Sequence, residues 1–190
     1  MKTLAQLLGT GALLVYVAAA DPLHVHVPQG AAARWLGPLS SAAADALWLE
    51  VEGARRAGDV ARLIARAELA LRLDPGATEG WDFLAHHQAL YLGSTLRDAN
   101  PERRLDWLRG GLATARRGES VAREPEQLAY LRGVLLQTHA ENDPATAWPG
   151  GTEELWDAAA AAYGEAAALG HPAGESMAAF ARSEARRSTH

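Results

Sequence analysis

The chain has 190 residues, a net charge of −5, 48% hydrophobic residues and no cysteine. That length suits one domain, or one domain with an anchor. The acidic balance excludes the basic surface that nucleic-acid binding needs. Without thiols the chain has no disulfide, no thiolate nucleophile and no Cys-ligated metal. The composition is alanine-rich, with six Trp and two Phe, which favours closely packed helices.

Residues 1–20, MKTLAQLLGTGALLVYVAAA, begin with one lysine and continue as an apolar run from Leu4 to Ala20. Two readings fit. One is a signal peptide cleaved after the small residues Ala18-Ala19-Ala20. The other is a transmembrane anchor over residues 1–22, since the run spans roughly 25 Å as a helix, near the lower limit for a bilayer core. We adopt the anchor. With Lys2 and the amino terminus as its flanking cations, the N-terminus lies in the cytoplasm and the remainder across the inner membrane.

Residues 23–33 form an extended connector, in which His24 and His26 alternate with apolar neighbours between Pro22 and Pro28. They would project to one side, but two histidines alone do not complete a metal site. A helical domain follows over 34–187, with a frayed tail at 188–190. The first helix ends at Ala57, with Ser40 or Ser41 as N-cap and Gly58 just past its end. Asp59 caps a second helix running to Leu73, which Pro75 stops. The third runs over 78–92 with Thr78 as N-cap. Residues 93–100 are a loop, and Asn100 with Pro101 opens the fourth helix. Pro125 opens the fifth. An alanine-rich sixth helix covers 152–169, capped by Thr152, and a final helix covers 174–187.

Helix pairs repeating near 34 residues signify a solenoid. The chain resembles the tetratricopeptide repeat over residues 44–85. With Pro75 at repeat position 32, Ala44 becomes position 1, and Leu47, Leu63, Ala67, Ala70 and Leu73 fall at positions 4, 20, 24, 27 and 30. The next repeat starts at Thr78, with Trp81 at 4, Leu84 at 7 and Ala85 at 8. Two departures stand out. Glu50 occupies an apolar position. In continuous register Arg97 and Arg104 fall at packing positions where neither fits. An insertion of about seven residues at 93–100 restores the pattern, with Leu108 at 24 and Gly111 at 27. The resemblance implies an all-α, TPR-like α-solenoid of about three helical hairpins plus a capping helix. Leu36-Gly37-Pro38-Leu39, Leu47-Trp48-Leu49, Trp81-Asp82-Phe83-Leu84-Ala85 and Arg104-Leu105-Asp106-Trp107 are similar to segments of membrane-anchored bacterial repeat proteins.

In such repeats the first helix of each pair lines a concave, protein-binding face. The resemblance puts Asp45, Trp48, Glu52 and Arg55 there, then Glu79, Asp82, His86 and Ala89: an acidic groove with one large aromatic. No catalytic motif occurs, neither H-E-x-x-H, P-loop, G-x-S-x-G nor dinucleotide fingerprint. No cofactor and no metal are expected. The expected function is a non-catalytic, membrane-anchored scaffold or accessory subunit of a bacterial cell-envelope complex, with its helical domain in the periplasm. Its partners are a protein of that complex and, through residues 4–20, the membrane; nucleic acid is not one. Two alternatives stay open. One is a periplasmic metal-binding module or enzyme using His24, His26, His86 and His87. The other is a secreted peptide-binding domain released by signal cleavage.

Overall fold

The computed structural model describes residues 39–143 and 147–188. The expected anchor or signal peptide, the connector with His24 and His26, and Trp35 lie outside these residues. The described chain is all-helical, without a strand. It divides into two compact units, one ending at Asp74 and one beginning at Pro75, where a single helical body over 34–187 was expected.

The first unit is a hairpin of α1 (Leu39–Ala57) and α2 (Val60–Leu73). Ser40 and Ser41 lie inside α1 rather than capping it. Gly58 makes the turn at φ +71°, a left-handed conformation that costs other residues about 1–2 kcal/mol. Asp59 then caps α2, its Oδ1 accepting from the Arg62 amide at 3.0 Å. Small residues dominate the seam. Ala44 and Leu73 pack with Ala43 and Leu47, and Val51, Ala54, Leu63, Ala67 and Ala70 are buried. Glu50, the polar residue at an apolar repeat position, stays half-buried. Its carboxylate meets Arg62 at 3.4 Å and Arg66 at 3.1 Å across the hairpin.

The second unit comprises α3 (Thr78–His86), which continues as a π-helical turn over His87–Leu92, then α4 (Pro101–Glu119), α5 (Pro125–Asn142), α6 (Gly151–Ala168) and α7 (Gly174–Ser188). Asn100 caps α4, its side-chain oxygen accepting from the amides of Glu102 and Arg103 at 2.8 and 3.3 Å. Thr78 is not an N-cap. It is the first residue of α3, and its hydroxyl accepts from the Glu124 amide at 3.2 Å, pinning the start of α5. Thr152 is likewise inside α6, which follows Gly150 at φ +77°. Helix α5 packs on α4 and α6 and also touches α3, while α7 packs on α6. Leu84, Leu108, Leu128, Leu135, Leu155 and Tyr163 form the buried centre.

Glycines set how closely these helices meet, Gly111 and Gly133 among them. A Cβ on Gly111 would stand 2.7 Å from both the Ala85 carbonyl oxygen and the Ala89 methyl. A Cβ on Gly133 would stand 2.5 Å from the Tyr163 ring. Tyr163 cannot swing aside, because its hydroxyl donates to Gln137 Oε1 at 2.7 Å and its ring is buried. Gly133→Ala should therefore lower stability by about 1–3 kcal/mol. Gly164→Ala, in open space on α6, should raise it by about 0.5–1 kcal/mol. Urea denaturation of the two variants against the parent measures both.

Candidate functional site

The residues that the repeat register assigns to a concave face divide between the two units, and each set is described on its own helix. On α1, Asp45 and Arg55 are exposed while Trp48 and Glu52 are half-buried. Of the two acids here, Glu52 is not free charge. Glu52 accepts a bidentate pair from Arg55, at 2.7 and 2.8 Å, and a third bond from Arg56 at 3.0 Å. Arg55, then Arg56, hold its carboxyl down to about 2. The local charge is thus closer to neutral than the acidic groove expected from the sequence. A peptide binding along α1 would meet a half-buried indole beside a closed ion-pair cluster.

On α3, Glu79 is exposed, and Asp82 and His86 are half-buried. Asp82 Oδ1 lies 2.8 Å from His86 Nδ1. The Asp82 hydrogen bond raises the His86 pKa, with burial working the other way. Ala89 does not belong to this face. It is fully buried at the contact with Gly111. His87 is buried too, stacked between Phe83 and Tyr91 with ring centroids 5.9 and 4.7 Å apart. Arg97 completes this row, its guanidinium 4.0 Å from the centre of the Tyr91 ring. His86 and His87 therefore diverge: one joins Asp82 at the surface and the other is a stacking element. Among the described residues no group of three His, Asp or Glu side chains gathers as metal ligands.

The polar chemistry that sequence reasoning missed lies inside the second unit. Arg104, the residue that seemed unable to pack, is buried with Asp143, each side chain about 5% exposed. Its guanidinium donates to both Asp143 carboxylate oxygens, at 2.7 and 2.8 Å, and to the Asp98 carbonyl at 3.0 Å. Arg97, by contrast, is exposed as its poor fit implied. A second buried arginine, Arg132, bridges Glu119 and Glu165. Thr114 Oγ1 donates to the buried Gln88 Oε1 at 2.7 Å. The signals were present as Asp143 at the end of α5 and as an arginine at an inward position, but partners 39 residues apart cannot be paired from spacing.

His139 closes this network. The π-turn sends the Gly93 N–H to the Gln88 carbonyl, five residues back. The Ala89 carbonyl instead accepts from His139 Nε2 at 2.9 Å. The neutral ring then carries its proton on Nε2, leaving Nδ1 as an acceptor. That Nδ1 is buried without a hydrogen-bond partner among the described residues. Burial is the main cause that lowers the His139 pKa, and Arg104 adds to it. On the far side of α5, His171 stacks on Tyr130 with centroids 4.0 Å apart.

No protein-family model, curated protein or solved structure matches the chain.

Removing one member of the buried pair strands the other charge. Asp143→Ala should lower stability by about 3–5 kcal/mol, whereas the double variant Arg104→Met/Asp143→Leu should lose markedly less. Chemical denaturation of both distinguishes the costs. The histidines should give opposite pH slopes. His86 contributes stability that is complete below the ordinary imidazole pKa of about 6.5. That contribution disappears as pH rises through its higher folded value. His139 is destabilising in acid, so stability falls as pH drops below about 6.5 towards its lower folded value. In denaturation midpoints followed from about pH 5 to 8, His86→Ala should flatten the alkaline limb. His139→Gln, which keeps a donor for Ala89, should flatten the acid limb.

Proposed function

We propose that this protein is a non-catalytic, membrane-anchored scaffold: an accessory subunit that holds another protein in a bacterial cell-envelope complex. Residues 4–20 would hold it in the inner membrane with the N-terminus cytoplasmic, and the helical units would stand in the periplasm. Exposed and half-buried side chains of α1 and α3 would take the partner: Asp45, Trp48, Glu52 and Arg55 on one helix and Glu79, Asp82 and His86 on the other. The observation that carries this reading is the packing at repeat-register positions. Leu63, Ala67, Ala70, Trp81, Leu84, Ala85 and Leu108 are all buried, and Gly111 sits where α3 meets α4 with no room for a Cβ. Small residues at those positions are what lets helical hairpins stack and present one face to a partner. The TPR-like solenoid form belongs to this proposal, as does the capping role of α7.

The arrangement of titratable groups favours recognition over catalysis. The strongest charges, on Arg104, Arg132 and Asp143, are consumed inside the fold. Among the described residues, the accessible Asp82–His86 pair is hydrogen-bonded within itself, and no nucleophile joins it there. Such a pair can instead accept and donate hydrogen bonds at the rim of a protein contact.

The test is affinity purification of the full chain from native membranes in mild detergent, with mass spectrometry. One envelope protein should co-purify in stoichiometric amount. Its yield should fall at least about tenfold with Asp82→Ala/His86→Ala or Trp48→Ala, a loss of roughly 1.4 kcal/mol, while helicity is unchanged. A chain recovered in the soluble fraction, or from membranes without a stoichiometric companion, would overturn the proposal.

A further inference from the structure

His139 stands one turn from the end of α5. Its Nε2–H donates to the Ala89 carbonyl of the π-turn at 2.9 Å. Its Nδ1 is buried, and no described group meets it. One turn on, the Asp143 amide donates to the His139 carbonyl at 2.9 Å, and the Asp143 carboxylate holds Arg104 of α4. Between them Ala140 is buried, while Glu141 and Asn142 are exposed. The last turn of α5 is thus fastened by the ring of His139, the methyl of Ala140 and the carboxylate of Asp143.

A second proton on this ring would have to go on Nδ1, in the interior, where no described group accepts it. Burial opposes that proton first, and the Arg104 guanidinium adds to it; the Ala89 carbonyl and Asp143 favour it. Asp143, however, already gives both carboxylate oxygens to Arg104. The other titratable groups of the neighbouring elements have partners of their own. His87, the second ring at the π-turn, stacks between Phe83 and Tyr91. Asp82 and His86 of α3 bind each other. Glu119 of α4 and Glu165 of α6 meet Arg132, and Tyr163 of α6 meets Gln137. The closed form therefore holds His139 neutral.

We infer that the last turn of α5, residues 139–143, is an acid-released latch on the π-turn: protonation of His139 unwinds it, freeing the Ala89 carbonyl and separating Asp143 from Arg104. This inference does not depend on the proposed scaffold role. Position along the helix makes the release local. A ring at the middle of α5 could meet water only if the unit came apart, whereas His139 needs one terminal turn to fray. Once open, it is an ordinary imidazole, protonated below about pH 6.5. Opening then grows as pH falls below that value, by at most about tenfold per pH unit. Between pH 8 and 5 the gain is at most roughly thirtyfold. The freed carbonyl belongs to the segment that continues α3, the helix carrying Asp82 and His86.

Hydrogen exchange of the full chain in mild detergent, followed by NMR from about pH 5 to 8 and divided by intrinsic rates, reads the opening group by group. The Asp143 amide and the Arg104 Nε–H, whose bonds the latch closes, should lose protection towards pH 5, up to roughly thirtyfold. The amides of Leu131 and Leu135, in the middle of α5, should keep theirs. His139→Gln, which keeps a donor for Ala89, should erase the pH dependence at both reporters, and His86→Ala should leave it in place. The imidazole nitrogen signals of the parent supply a check that needs no variant. His139 should carry its proton on Nε2 at pH 8, and its titration should coincide with the loss of protection. Unchanged protection in the parent at pH 5 would overturn the latch. A loss shared equally by Leu131 and Leu135 would make the effect global and overturn it too. Persistence of the loss in His139→Gln, or a profile that departs from the His139 titration, would assign the opening to another group and sink the inference.

Discussion

The second unit depends on how near α3 can come to α4. At Ala85, Ala89 and Gly111 the helices meet with nothing larger than a methyl between them. This closeness places the π-turn of α3 within reach of α5, where His139 takes up the Ala89 carbonyl. It also sets Gln88 against Thr114. A helix pair separated by leucines would hold its backbones about 2 Å farther apart, and neither bond could form. Alanine and glycine thus contribute little apolar area of their own here. Their effect is to bring polar groups into register in a dry interior, where a satisfied network rigidifies and an unsatisfied one is costly.

Buried charge is the second organising element. Arg104 and Asp143 join the start of α4 to the end of α5 by two short bonds, and Arg132 joins α5 to Glu119 of α4 and Glu165 of α6. Such pairs add little net stability over apolar replacements of the same shape. What they supply is specificity, because each arginine has only one arrangement that satisfies its fork of donors. Alanine-rich helices slide easily over one another. Two buried guanidinium groups, each tied to named carboxylates, leave one register available. The accessible carboxylates follow another rule. Glu52 and Asp98 are half-buried beside arginines; Arg55 and Arg56 hold the first carboxyl down to about 2, and Arg103 with the Asn100 amide does the same for the second.

Helix order and most helix ends were legible in the sequence, because their signals are local. Gly58 and Asp59 marked the first turn, and Asn100 with Pro101 and Pro125 marked two helix starts. Side-chain capping was less legible. Thr78 has the right chemistry for a cap, yet its hydroxyl serves the Glu124 amide, 46 residues away. Apolar periodicity over residues 44–85 coincides with burial at Leu63, Ala67, Ala70, Leu73, Trp81, Leu84 and Ala85. The repeat register misjudged Arg104, since periodicity treats an arginine as solvent-facing unless its carboxylate is also in view. It misplaced Ala89 for a related reason. The π-turn alters the helical phase from His87 onward, and no residue type in His87–Leu92 announces it. As for the candidate site, the Asp82–His86 contact follows from i, i+4 spacing. The closing of Glu52 by two arginines follows from the same spacing rule and could have been drawn from it.

The π-turn has a consequence for how this chain can change over generations. Six residues, His87–Leu92, bridge five-residue rather than four-residue hydrogen bonds, which amounts to one residue more than an α-helix of that rise needs. Loss of a single codon there would convert the segment to ordinary helix, in which no backbone carbonyl is left over for His139. Substitutions at Thr95 and Leu96 in the loop at 93–100 are cheap, because both side chains are exposed. Changes of length just before it are not. The stretch is therefore permissive in letters and strict in number, and descendants of this chain should vary in what the loop says while keeping the count of residues that leads into it.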